Sequence, residues 1–193
     1  MRRELGAGPV TALSRADWEL LETGVDPAAW LEGGQVLRLA AVAREHACGG
    51  SWTRFHELCA QAVQRIGALG YRAVLRAGDP DRTFAALSVL WRASFGSGRA
   101  VADTDPRGAT VHVFDGVAVD ELEGNLHAGW CLGVAWLTGV DAARLELRRR
   151  PWAADEGDEQ VVRIDWREPV QRPAPAPPPY PSIRGKLPAA SVG

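Results

Sequence analysis

Lysine is almost missing from this chain: of 22 basic side chains, Lys186 alone is not arginine. With abundant alanine and glycine, that bias is the composition of a GC-rich bacterial gene. Net charge is also nearly absent, −2 at pH 7 with a pI near 6.1, so no basic footprint for nucleic acid is present. No stretch approaches the roughly 18 apolar residues a membrane span requires. Met1-Arg2-Arg3-Glu4 leads into no apolar run, so no signal peptide is expected. Cysteine is scarce, with three residues (Cys48, Cys59 and Cys131) in no framework spacing, which reads as a reduced cytoplasmic protein. No Gly-x-Ser-x-Gly elbow, no phosphate loop ending in Gly-Lys-Ser/Thr and no Gly-x-Gly-x-x-Gly after a strand occurs, so neither an enzyme nor a cofactor is expected.

What remains suits one domain. At 193 residues and 46% hydrophobic, the chain can bury a proper core. Residues 1–12 are expected to be a flexible N-terminus and 13–168 a globular domain. From Pro169 the composition changes, and 169–193 is expected to be a disordered, proline-rich tail. Within it, Pro177-Pro178-Pro179-Tyr180 matches the pattern read by aromatic proline-binding grooves. Tyr180, Ile183 and Leu187 are the candidate partner-binding residues of this tail, and a solvated tail is the alternative.

The first half has helical periodicity. Ser14 caps Arg15–Thr23, with Gly24 as the stop, and Asp26-Pro27 opens a short turn or helix through Leu31. A helix is predicted from Gln35 to His46, ended by Gly49-Gly50. Ser51 caps the next, whose apolar seam is Phe55, Cys59, Ala62 and Ile66. Asp79-Pro80 starts a helix that presents Phe84, Leu87, Trp91 and Phe95 on one side, closed by Gly96-Ser97-Gly98. The period then changes. Strands are predicted at 99–103, 110–114, 144–150 and 160–166, with a helix over 121–138 whose inner side carries Leu122, Leu126, Trp130, Gly133, Val134 and Leu137. Helices first and strands later predict an α+β domain: N-terminal helices on a C-terminal antiparallel sheet, with one helix inserted between strand pairs.

Three groups of residues are candidates for chemistry. His46, Cys48, His56 and Cys59 are ligand types within a short span, but their spacing matches no paired-cysteine framework. Core packing with a surface histidine is the reading, and zinc the alternative. His112 and His127, among apolar neighbours, read as structural histidines rather than acid–base groups. Eight tryptophans (18, 30, 52, 91, 130, 136, 152 and 166) are the unusual feature. Large rings build cores, and they also make walls for an apolar ligand. Phe84, Trp91, Phe95, Trp130 and Trp136 are therefore the candidate pocket wall.

The pattern Gly129-Trp130-x-x-Gly133, then Gly139, Arg144-Leu145-Glu146-Leu147, Gly157 and the closing 161–166 segment resembles the four-vinyl reductase domain. That superfamily shares its fold with haem-nitric-oxide-binding domains and with subunits of the TRAPP tethering complex. The run Gly78-Asp79-Pro80, Leu90-Trp91-Arg92, Phe95 and Gly98 resembles a group of myxobacterial paralogues. The resemblance covers roughly residues 30 to 166. It implies a sensory or scaffolding module, often a homodimer, with a hydrophobic cavity between helices and sheet. It also makes Gly129, Gly133 and Gly157 structural. The zinc-binding cysteines that many members carry near the last strand are missing here. No histidine of this chain matches the haem-binding one, so neither metal nor haem is carried over. The expected function is a non-enzymatic sensory, regulatory or adaptor domain binding a small hydrophobic ligand, a protein partner or both. The alternatives are a structural assembly subunit recruiting partners through its tail, and a metal- or haem-dependent protein.

Overall fold

In the computed structural model the described residues are 13–23, 31–71, 74–75, 77–115, 120–153 and 158–170. The turn expected at Asp26-Pro27, Gly157 and the tail residues Tyr180, Ile183 and Leu187 lie outside them.

Helix α1 spans Arg15–Thr23, as its cap predicts. The cap is reciprocal: the Asp17 amide donates to Ser14 Oγ at 3.2 Å, and the Ser14 amide to Asp17 Oδ2 at 2.8 Å. Asp17 also receives two hydrogen bonds from the Arg38 guanidinium, at 2.7 and 3.0 Å. That partner holds its carboxyl well below the usual carboxylate range. Arg38 belongs to α2 (Gly33–Val42). The helix expected to run to His46 instead widens into a π-turn over Ala43–Ala47, and the Cys48 amide reaches back to the Ala43 carbonyl at 3.1 Å.

Helix α3 (Trp52–Gly70) starts at the predicted Ser51 cap, but its buried face differs from the expected seam. Phe55, Ala60, Val63 and Gly67 are buried, whereas Ala62 and Ile66 are exposed. The seam fails after Cys59 because the partner helix offers glycines, and the residues that settle against them are Ala60 and Val63. The helix expected from Asp79 through Phe95 is likewise two: α4 (Pro80–Ala85) and α5 (Leu87–Phe95). At Ala86 the amide bonds the Thr83 carbonyl at 3.1 Å, a tightened turn that lets both Phe84 and Leu87 enter the core.

Strand β1 (Arg99–Asp105) and β2 (Gly108–Phe114) form a hairpin closed by Pro106-Arg107. Then come α6 (Glu121–Leu137), β3 (Ala142–Arg149), a 3₁₀ turn over Pro151–Ala153 and β4 (Gln160–Trp166). The sheet is antiparallel throughout, in the order β1-β2-β4-β3. The fold is thus the expected α+β arrangement, with one helix between strand pairs.

Alternation divides the sheet. Val111, Val113, Val162, Ile164 and Trp166 face the helices and are buried. On the opposite face Arg163, 9% exposed, reaches Asp105 and Asp165, each at 2.7 Å. Helix α6 is buried from Gly124 to Ala135 except at Leu126, on all sides rather than on one inner side, because it lies between α3 and the sheet. Its fit against α3 depends on glycine: a Cβ on Gly129 would stand 2.6 Å from the Cys59 Cβ, and one on Gly133 would stand 2.5 Å from the Val63 Cβ. Beyond the expected domain end at 168, the Val170 amide donates to the Pro106 carbonyl at 2.9 Å and its side chain packs against the core.

Candidate functional site

The densest arrangement of unusual side chains is an aromatic box where α5, α6 and the start of β4 meet. Asp79 caps α4, receiving the Arg82 amide at 3.0 Å, and Pro80 fills the first turn. This start, with the Ala86 turn, aims Trp91 and Phe95 at α6. Gly96, at φ +69°, closes α5 in a left-handed conformation and returns the chain as β1. The Trp91 ring lies 4.2 Å from Phe95, 5.5 Å from Trp130 and 4.8 Å from His127, centroid to centroid. His127 and Trp130 are three apart on α6, so they share one side of the helix.

Both indole N–H groups of the box and one imidazole nitrogen have hydrogen-bond partners. The Trp91 indole N–H donates to the Ser97 carbonyl at 2.9 Å, and the Trp130 indole N–H to Ser94 Oγ at 3.1 Å. Ser94 also bonds the Tyr71 hydroxyl and donates to the Leu90 carbonyl at 3.0 Å. Gln160 donates through Nε2 to the Gly124 carbonyl at 2.8 Å, which turns its Oε1 toward His127 Nδ1, 3.0 Å away. His127 Nδ1 therefore carries the proton and donates. Burial holds this imidazole neutral, pushing its pKa down to about 4 against the smaller, opposing effect of Gln160.

Of the five candidate wall residues, Trp91, Phe95 and Trp130 meet in this box. Phe84 is in another part of the same core, 6.0 Å from Trp166, and Trp136 is half-buried at its margin. Two surface clefts are formed elsewhere. One, of about 420 Å³, lies among Gly78, Pro80, Thr138, Asp141 and Val170. The other, of about 320 Å³, lies among Arg99, Phe114, Arg149 and Glu159. The box residues line neither.

The candidate metal ligands do not converge. His46 is exposed at the end of the π-turn, and Cys48 is buried with Ala40 and Phe55 in a small second core. His56 Nε2 meets Asn125 Oδ1 at 2.7 Å across the α3–α6 contact. Among the described residues, no group of three His, Cys, Asp or Glu side chains is placed to hold a metal ion. His56, Cys59 and Asn125 have the composition of a Cys–His–Asn triad, but burial pushes the Cys59 thiol up to about 12, away from the thiolate a nucleophile requires. Cys131, fully buried, is likewise pushed to about 12. His112 lies on the opposite face of the sheet, 3.5 Å from Glu159 and 3.7 Å from Asp103.

Sequence reasoning missed Gln160, Ser94 and Tyr71. Each is a lone polar residue in an apolar run or at a helix end, and only the tertiary contact gives it a role.

No protein-family model matches the sequence, and no curated protein matches it. Among solved structures, an H-NOX domain studied for the molecular mechanism of H-NOX activation superposes with a TM-score of 0.50 at 15% identity, covering 81% of this chain and 88% of that one. One studied for haem distortion in the H-NOX family gives 0.49 at 17% identity, over 81% of this chain and 86% of that one. An oxygen-binding H-NOX domain related to soluble guanylate cyclases gives 0.48 at 15%, over 81% and 86%. The first of these carries the conclusion that the chain has an H-NOX-like fold.

Proposed function

We propose that this chain is a non-enzymatic sensory or adaptor domain that acts through contact with a protein partner. The observation that supports it is the filled interior: Trp91, Phe95, Trp130 and His127 occupy the space between α5, α6 and the sheet, with both indole N–H groups and the His127 Nδ1 hydrogen-bonded. The Cys59 and Cys131 thiols are held protonated and the His127 imidazole neutral, so these groups offer neither a nucleophile nor an activated base.

The haem and oxygen chemistry of the neighbouring structures is a separate reading. Haem iron takes a histidine, cysteine, tyrosine or methionine ligand. Here His56 Nε2 is bound to Asn125 and Tyr71 to Ser94, while His46 and His112 lie outside the helix–sheet interior. His127 bonds Gln160 through Nδ1, and Trp91 and Phe95, each 4.8 Å from its ring, stand where a porphyrin would have to lie. These residues do not fit a haem. A small apolar ligand is the second reading, favoured by half-buried Phe95 in the box and half-buried Trp136 at the margin of the core. Membership among the four-vinyl reductase-like domains and their myxobacterial paralogues, a cytoplasmic setting and recruitment through Tyr180, Ile183 and Leu187 belong to the same proposal. Among the described residues no helix is long and apolar enough to cross a membrane.

Native mass spectrometry of the protein from its own host, with an absorption spectrum of the same sample, tests the reading. A specific protein partner at fixed stoichiometry without a Soret band agrees with it. An apolar adduct released on denaturation favours the second reading. Stoichiometric haem or metal overturns both.

A further inference from the structure

The sheet ends on β3, which has β4 on one side and, among the described residues, no strand on the other. A free edge offers backbone N–H and C=O groups to any extended chain, and charges or a bulge on it ordinarily turn strands away. On β3 those charges are uneven in sign. Arg144 and Glu146 stand opposite Asp165 and Arg163 of β4, on the sheet face away from the helices. Arg144 and Arg148 have side chains 68% and 50% exposed and share one carboxylate, Glu146, each at 3.7 Å. The other carboxylates nearby are taken, Asp165 by Arg163 at 2.7 Å and Glu159 by Arg149. A shift of register between Leu147 and Arg149 brings Arg148 and Arg149 to this same face. Two guanidiniums on one carboxylate leave a surplus positive charge along the edge, and exposed pairs of this length re-pair at little cost.

The other face of the same strand carries Leu145 and Leu147, both half-buried against the core. The open edge therefore alternates guanidinium on one face with leucine on the other. A strand that completes it carries carboxylates opposite Arg144 and Arg148, a neutral or basic residue opposite Glu146, and apolar residues between them to cover the leucines. A phosphate backbone would meet the arginines and leave the leucines bare. A second copy of this edge would bring the same surplus charge. We infer that the β3 edge takes an extended segment of a protein partner, alternating acidic and apolar residues, as a fifth strand. The edge is then the surface of the partner contact proposed above, and the assignment rests on that reading.

The probe is an end-blocked fluorescent peptide, Thr-Glu-Val-Lys-Val-Glu-Thr, titrated onto the full chain by anisotropy, with amide exchange followed in parallel. The expected result is saturable binding that slows exchange within 142–149 and weakens about tenfold between about 50 and 300 mM salt. Arg144→Glu combined with Arg148→Glu weakens it by about tenfold or more, and a peptide with lysine in place of both glutamates binds that variant and not the parent. Both positions are exposed, so unchanged circular dichroism and thermal midpoint confirm that the variant is folded. No saturation below about 1 mM peptide, protection outside 142–149, or equal binding of a scrambled peptide each overturns the inference. So does tighter binding of a single-stranded oligonucleotide, or self-association of the chain through the same edge. A host partner that the double variant still holds overturns this inference and leaves the partner reading standing, whereas stoichiometric haem in the host protein overturns that reading whatever the peptide does.

Discussion

Gly133 of α6 lies against Val63 of α3 so closely that a methyl group on the glycine would stand 2.5 Å from the valine Cβ and 3.0 Å from the Ala60 Cα. Neither atom is the end of a flexible side chain, so relief requires the two helices to separate. Alanine raises intrinsic helix propensity by about 1 kcal/mol over glycine, but overpacking of this kind costs about 1–3 kcal/mol and more where backbone is struck. Gly133→Ala is therefore expected to lower the urea midpoint. Gly33→Ala, at a position with nothing near its would-be Cβ, is expected not to lower it. A stabilised Gly133→Ala protein would mean that α3 and α6 are not packed as described.

The tryptophans are not equivalent. Trp91 is fully buried and Trp18 is more than half exposed. Trp91→Ala is expected to cost about 3–5 kcal/mol, a large share of a domain's total stability, and Trp18→Ala less than about 0.5 kcal/mol. Equilibrium denaturation of both variants checks this, and similar losses at the two sites would contradict the placement of the box.

Acid should loosen the box. The folded chain holds His127 neutral with a pKa of about 4, below the ordinary value of 6.5, so between those limits the unfolded chain binds the proton first. The stabilisation is complete above pH 6.5 and is lost as pH falls toward 4, amounting to about 3 kcal/mol at most. His56, also lowered by burial, adds to the same trend. In denaturation curves taken from pH 7 to pH 4, His127→Gln should flatten the dependence, and a slope as steep as that of the parent protein would contradict the burial of this imidazole.

On the opposite face of the sheet, Arg163 joins β4 to the β1–β2 hairpin through Asp105 and Thr110, and Asp165 of its own strand steadies the guanidinium. It also holds the Asp105 carboxyl below its usual range. Arg163→Met should cost about 1–3 kcal/mol by leaving partly buried partners unmatched. It should also speed amide exchange around Arg107 and Gly108. Exchange unchanged at those amides would assign Arg163 to surface decoration.

The order of elements was legible because period and punctuation are local. Ser14, Ser51 and Asp79 cap helices as predicted, and Gln160–Trp166 is the strand its alternation predicts. What was not legible depends on partners. Whether Ile66 or Val63 faces inward is decided by Gly129 and Gly133, which lie more than sixty residues away in sequence. The π-turn at Ala43–Ala47 and the break at Ala86 lie in runs of good helix formers, with no glycine or proline to announce them. Among the candidate site residues, the meeting of Trp91, Phe95 and Trp130 follows from helix spacing, but Gln160 enters only because β4 begins there beside α6. Gly157 and the tail residues lie outside the described part of the chain.

The strand order has a consequence for synthesis. Because β4 pairs with both β2 and β3, the last strand to leave the ribosome is the one that joins the earlier hairpin to β3. Until it emerges, α6 has only half a sheet to lie on, and its apolar surface waits in contact with solvent or a chaperone. This domain is therefore completed by its final strand in one late step, and a nascent chain paused before Gln160 is the species most exposed to misassembly.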